Sequence, residues 1–282
     1  MTLLKKFANI IVVTLSLSLS GCTMTRAASA WMQSNAAFVR CTPDPRILCE
    51  PGSESLAASI APLLPSAIPR VEKSQYSRVT APIIIQTYAT RESFSKHSGS
   101  PGYAEGTVSL GVLHLSPKLL TTPQRTKGIL THELSHLNLL LQMGSLRLSQ
   151  VPSWFTEGLA TYVSDGGGAE TATTANAHYA LLHAQHFEPD ASQWFLSPKN
   201  ASSYGLAPHM FYRQSSLLVA YMHNSDPVAF EKMLKLVAAN TAFADAVKAS
   251  YHKQLSAMWN DFLCGLNNEG GADAGCVLVK AH

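Results

Sequence analysis

Thr131-His132-Glu133-Leu134-Ser135-His136, followed downstream by Pro152-Ser153-Trp154-Phe155-Thr156-Glu157-Gly158-Leu159-Ala160, is the part of this 282-residue chain whose reading decides the rest. The apolar spacing around the first stretch predicts a helix from about Thr122 to Met143. Thr122 serves as its N-cap, Pro123 takes the first helical position, and Gly144 follows as the stop. Residues four apart on a helix share a face, so His132 and His136 direct both imidazoles to one side. A second helical pattern, Trp154 to Val163, begins after a loop that ends at Pro152. Two helices joined in this way can pack antiparallel, which brings Glu157 beneath the two rings.

That pattern of residue types suits one chemistry. Neutral imidazoles are good zinc ligands, and a catalytic zinc keeps three protein ligands with a fourth position open to water. His132, His136 and Glu157 are the expected ligands and Zn2+ the expected cofactor. Glu133, adjacent to the first ligand, is then expected to act as the general base on the metal-activated water and to return the proton to the leaving amine.

The two blocks, H-E-x-x-H and W-F-x-E-G-L-A, resemble those of the gluzincin metallopeptidases, in particular the peptidase MA-like group, over about residues 78 to 225. The resemblance implies an α+β, zincin-like fold: a small mixed sheet, then the active-site helix, then a mainly helical C-terminal part. It implies a thermolysin-like zinc peptidase acting on peptide or protein substrates. It also implies that Tyr212, within Phe211-Tyr212-Arg213-Gln214-Ser215, supports the oxyanion of the reaction, with Tyr204 and His209 as weaker candidates. In that family an extended substrate adds to a sheet edge by main-chain pairing, and the strand containing Thr107 to Leu115 is the expected edge. The chain departs from the thermolysin pattern at one position. Where an Asp orients a metal-binding His, this sequence has Thr161, and Asp165 lies one further turn along.

The N-terminus points to a membrane surface. Lys5 and Lys6 precede an apolar run from Phe7 to Leu19, and Leu19-Ser20-Gly21-Cys22 resembles a bacterial lipobox. Residues 1–21 are read as a lipoprotein signal peptide, Cys22 as the lipidated first residue, 22–40 as a tether and 41–282 as the catalytic domain. The apolar run is short for a membrane span of about 20 residues. Thr23 stands where enteric lipoproteins retained at the inner membrane resemble one another in having Asp, so the expected location is the outer membrane, facing the periplasm. Removing Lys5 and Lys6 leaves 19 basic against 18 acidic side chains, which gives no electrostatic case for nucleic acid. Cys41, Cys49, Cys264 and Cys276 then form an even set in an oxidising compartment. The expected pairs are Cys41 with Cys49 and Cys264 with Cys276, each closing a local loop.

With 46% hydrophobic residues the chain can bury a sizeable core. Cys41 to Pro51 reads as an irregular clip, and Leu56 to Ile68 as a short helix interrupted by Pro62 and Pro65. Ala81 to Tyr88, with Ile83-Ile84-Ile85, reads as a buried strand, and Thr107 to Leu115 as one alternating strand. His114 on that strand reads as structural or surface. Gly166-Gly167-Gly168 reads as a flexible linker, and Ala169 to Phe187 as a helix whose His178, His183 and His186 form a solvated face. Glu188 to Pro208, with Trp194, Phe195 and Tyr204, reads as a loop over a cleft. Helices follow at Met210 to Met222, Pro227 to Ala239, Ala242 to Ser250 and His252 to Leu266. Two alternatives to the peptidase remain open at this stage: a non-catalytic envelope lipoprotein that keeps the fold as a binding or assembly module, and a hydrolase of a non-peptide amide.

Overall fold

The computed structural model describes residues 26, 29–79, 81–193 and 198–269. Cys22, the lipobox, Trp194, Phe195 and Cys276 therefore lie outside the described residues. In chain order the elements are β1 (Val39–Arg40), β2 (Ile47–Cys49), α1 (Glu54–Ile60), α2 (Leu64–Ser74), β3 (Ile85–Thr87), α3 (Arg91–Ser98), β4 (Gly106–Ser109), β5 (Val112–Leu115), α4 (Thr126–Met143) and α5 (Ser145–Leu148). They continue with α6 (Ser153–Val163), α7 (Thr174–Leu182), α8 (Pro208–Ser225), α9 (Pro227–Ala238), α10 (Phe243–Tyr251) and α11 (Leu255–Glu269). The class is α+β, as expected. Among the described residues no helix is long and apolar enough to cross a membrane.

The chain divides into two compact units. The first holds a five-stranded mixed sheet in the order β1-β2-β3-β5-β4. Its central strands β2, β3 and β5 run parallel, and antiparallel β1 and β4 form the edges. Parallel neighbours buried on both faces should be apolar, and Ile47, Cys49, Ile85, Leu113 and Leu115 are all fully buried. Two expectations are corrected here. The clip at Cys41 to Pro51 is the β1–β2 hairpin, with Val39 opposite Cys49, so the tether's last two residues already belong to the sheet. The single strand expected over Thr107 to Leu115 is a hairpin. Leu110 (φ 52°) and Gly111 (φ 77°) turn the chain through two left-handed residues, the conformation that a tight two-residue hairpin requires. Apolar alternation continues through that turn, which is why the break is hidden in the pattern.

The Cys41–Cys49 disulfide forms as expected and ties the β1–β2 hairpin, with Cα atoms 5.8 Å apart. Cys264 is also disulfide-bonded, while its expected partner Cys276 is outside the described residues. His114 proves structural. Tyr88 gives its hydroxyl proton to Gln86 Oε1, so it accepts from His114 Nδ1, and Ser109 Oγ donates to His114 Nε2 at 3.0 Å.

The second unit is helical. The described residues of 63–81 and 125–269 build it around an aromatic core of Trp154, Phe155, Phe187, Phe211 and Phe230, each fully buried. The α4 helix begins at Thr126, after a 3-10 turn at Pro123–Arg125, and not at Thr122. Its stop is the expected one: Gly144 takes φ 73°, and its N–H bonds the Leu140 carbonyl at 2.8 Å. The expected C-terminal helices appear as α8 to α11 within a few residues of their sequence boundaries. The α6 and α8 helices approach closely at Gly158, where an added Cβ would lie 2.7 Å from the backbone C and O of Ser215.

Two measurements check this account. Gly158→Ala gains about 1 kcal/mol of helix propensity but overpacks a backbone contact at a cost of about 1–3 kcal/mol. The expected outcome of thermal unfolding is a lower Tm; a raised Tm would show that α6 and α8 stand further apart. Burial pushes the His114 imidazole from 6.5 down to about 4; the Ser109 carbonyl, which accepts from the charged ring, opposes the shift, and His97 adds to it. The unfolded chain takes up this proton near 6.5 and the folded one does not. Stability is therefore fully present above pH 6.5 and falls by about 3 kcal/mol as pH drops to 4. In denaturant titrations at pH 7 and pH 4.5, His114→Gln is expected to show a shallower loss than the parent.

Candidate metal centre

His132 and His136 lie one turn apart on α4, and Glu157 opens the second turn of α6. Both helices belong to the second unit, and they pack directly on one another. His132 Nε2 is 3.1 Å from His136 Nε2, and Glu157 Oε2 is 3.3 Å from the first and 3.4 Å from the second. The three donor atoms thus form a nearly equilateral triangle facing a common point. The side chains are only 5%, 18% and 23% exposed, so little bulk water reaches them.

The chemistry of this donor set fits a cation. Glu157 Oε2 is buried and accepts no hydrogen bond among the described residues. A buried charge of this kind is normally paired or bound to a metal. Burial by itself raises the Glu157 carboxyl, but His136 and His132 outweigh it and hold the group well below the usual carboxylate range. Glu133 behaves in the opposite way. Burial pushes it up to about 7, with His132 lowering and Glu157 raising it. The two carboxylates thus diverge: one is held ionised among the imidazoles, and the other is poised to exchange a proton near neutrality. Among the described residues this is the one group of three or more His, Cys, Asp or Glu side chains arranged to hold a metal ion.

The orientation of His132 resolves the departure noted at Thr161. Thr161 is fully buried, and its Oγ1 has no hydrogen-bond partner among the described residues. Asp165 does not substitute for the missing carboxylate: its side chain is 75% exposed and pairs with Arg70. His132 Nδ1 instead donates to the backbone carbonyl of Gly167 at 2.9 Å, in a buried bond. Gly166, Gly167 and Gly168 are buried, so the expected flexible linker is corrected to a packed turn. Sequence reading missed it because a run of glycines carries no side chain that advertises a contact.

Tyr212, on the first turns of α8, places its ring 5.8 Å from the His132 ring, at an angle of 35°. The weaker candidates lie elsewhere. The Tyr204 hydroxyl bonds Asp190 and its ring stacks on Phe211, while Trp154 Nε1 at the start of α6 donates to the Asp190 carbonyl at 3.0 Å. His209 Nδ1 accepts from the backbone N–H of Thr171 at 3.1 Å. The helix expected over Ala169 to Phe187 is the shorter α7, so of the three histidines only His178 lies on it, and they do not converge. His183 stacks on Tyr179 and bonds its carbonyl, and His186 contacts Trp259.

Compared with known proteins, the chain matches no family model and no curated protein sequence.

Proposed function

We propose that the protein is a zinc metallopeptidase of the bacterial cell envelope, held at the membrane by a lipid on Cys22. The observation that carries the reading is the triangle of His132, His136 and Glu157 donors with Glu133 beside it. Zinc bonds of about 2.0–2.1 Å place neighbouring tetrahedral donors about 3.3–3.4 Å apart; the separations here are 3.1, 3.3 and 3.4 Å. Imidazole and carboxylate donors in a 2:1 ratio suit zinc, and three protein donors leave a position for water.

A zinc ion held there would polarise the scissile carbonyl and acidify a water molecule. The chain's own residues do the rest. Glu133 takes the proton from the attacking water and delivers it to the leaving amine, which requires a carboxyl able to hold a proton near neutral pH. Its buried setting supports that role. The Tyr212 hydroxyl donates to the developing oxyanion, where charge appears only as the reaction proceeds. Glu157 keeps its charge throughout and neutralises part of the metal's. The signal-like segment from Lys5 to Cys22 supports the envelope location and the lipid anchor.

Purified full-length protein in detergent, loaded with zinc and offered a mixed peptide library, is expected to cleave it. Glu133→Gln is expected to keep zinc but to lose about 10²–10⁴-fold in kcat. Unchanged turnover would overturn the general-base assignment, and a zinc-loaded parent that cleaves nothing would favour a binding module. Zinc at about 100 times its Kd is expected to stabilise the fold by about 2.7 kcal/mol, because only the folded chain presents the three donors together. In a thermal melt with and without chelator, Glu157→Gln should lose most of that gain.

A further inference from the structure

The glycine turn at 166–168 contains more specific structure than a chain reversal needs. Gly167 sits against the α4 backbone: an added Cβ would lie 2.4 Å from the Gly128 carbonyl oxygen and 2.7 Å from Ser164 Oγ. Gly128 is one helical turn before His132, so the same contact that seats the turn on α4 places the Gly167 carbonyl at His132 Nδ1. Gly168 (φ 84°) fills the narrow space beside two rings. A methyl there would come within 3.0 Å of His132 Cε1 and 3.5 Å of Tyr212 Cδ2. Gly166 (φ 94°) passes under Arg213, whose Nη2 would be 2.6 Å from an added Cβ.

The turn is braced from both sides. Arg213, next to Tyr212 on α8, donates from Nε to the Ala172 carbonyl at 2.9 Å and from Nη2 to the Ala169 carbonyl at 3.4 Å. Glu170 Oε1 accepts from the Gly168 N–H at 3.1 Å, and Arg125, just before α4, holds the other Glu170 oxygen at 2.7 Å. A glycine-rich segment is entropically costly to fix. One of these bonds ends on Gly168 itself and the other three hold Ala169, Glu170 and Ala172 just beyond it, which offsets part of that cost.

We propose that the Gly166–Gly168 turn, locked by Arg213 and by the Arg125–Glu170 pair, is the positioning element that fixes the tautomer and ring orientation of His132. It takes the place of an orienting carboxylate side chain. A carbonyl oxygen only accepts, so His132 carries its proton on Nδ1 and presents a bare Nε2 to the donor triangle. The turn also ties that ring to Tyr212 through Gly168 and Arg213. This inference rests on the reading of His132 as a metal ligand, and its test separates the two.

Long-range 1H–15N correlation on histidine-labelled, metal-free protein reads the tautomer directly. His132 is expected as the Nδ1–H form, and a dominant Nε2–H form would overturn the proposal whatever the protein does with metal. Zinc affinity, measured by chelator competition, supplies the second readout. Gly167→Ala is expected to weaken zinc binding by about 10–100-fold, but its methyl threatens the fold. Arg213→Met adds no atom at the turn and removes the two bonds that hold the Ala169 and Ala172 carbonyls directly after it. It is expected to keep the far-UV circular dichroism of the parent, to mix the His132 tautomers and to weaken zinc about 10-fold. A folded Arg213→Met protein with parental tautomer and parental zinc affinity would overturn the proposal. A parent that takes up no zinc yet shows His132 as Nδ1–H would remove the metal reading and leave the positioning role standing.

Discussion

Close backbone contact between helices and loops is the constraint on which this site depends. Glu157 reaches the two imidazoles because its neighbour Gly158 lets α6 lie against the Ser215 backbone of α8, where an added Cβ would stand only 2.7 Å away. The Gly167 carbonyl reaches His132 because Gly128 and Gly167 meet without side chains between them. Donor separations of 3.1 to 3.4 Å tolerate little error, and a misplacement of about 1 Å is enough to disable a site of this kind. Small residues set that tolerance, while the aromatic core around Trp154, Phe155 and Phe211 keeps the helices from sliding.

The same closeness creates an electrostatic demand. With His132 Nδ1 protonated, the Nε2 lone pair of His132 and the Glu157 oxygen face each other at 3.3 Å. Bare lone pairs at that distance repel in a region of low dielectric, so the arrangement requires a proton or a cation among them. A shared proton would satisfy one pair of donors, whereas a divalent ion satisfies all three. Glu157 Oε2, which accepts no hydrogen bond among the described residues, thus belongs to a group that could hold a cation.

Much of this was legible in the sequence. The i, i+4 histidines, Glu133 between them and Glu157 on the next helix required only helical periodicity, and the α4 stop at Gly144 required only the left-handed preference of glycine. The Cys41–Cys49 bridge followed from spacing. What escaped notice lacked a side-chain signature. The hairpin at Leu110 and Gly111 hid within an unbroken apolar alternation. The helix start moved from Thr122 to Thr126 because Pro123 to Arg125 close into a tighter 3-10 turn. Gly166 to Gly168 read as slack chain because their contacts are made by backbone atoms and by distant arginines, which no local window couples to them.

Thr161 shows why the backbone solution is physically reasonable. A buried carboxylate at that position would stand behind a site that already contains Glu133 and Glu157, and removing a further anion from water costs several kcal/mol unless it is fully paired. It would also add a negative charge near Glu133, whose burial and proximity to Glu157 already raise its carboxyl. A peptide carbonyl accepts the same hydrogen bond as a neutral dipole. It orients the ring and leaves the charge balance of the donor set unchanged. What it gives up is the conformational independence of a side chain, since the carbonyl is only as well placed as the turn that carries it. That is the physical reason for so many constraints on so short a segment: glycines at positive φ, a seat on Gly128, and arginines from both ends holding the turn in register with His132.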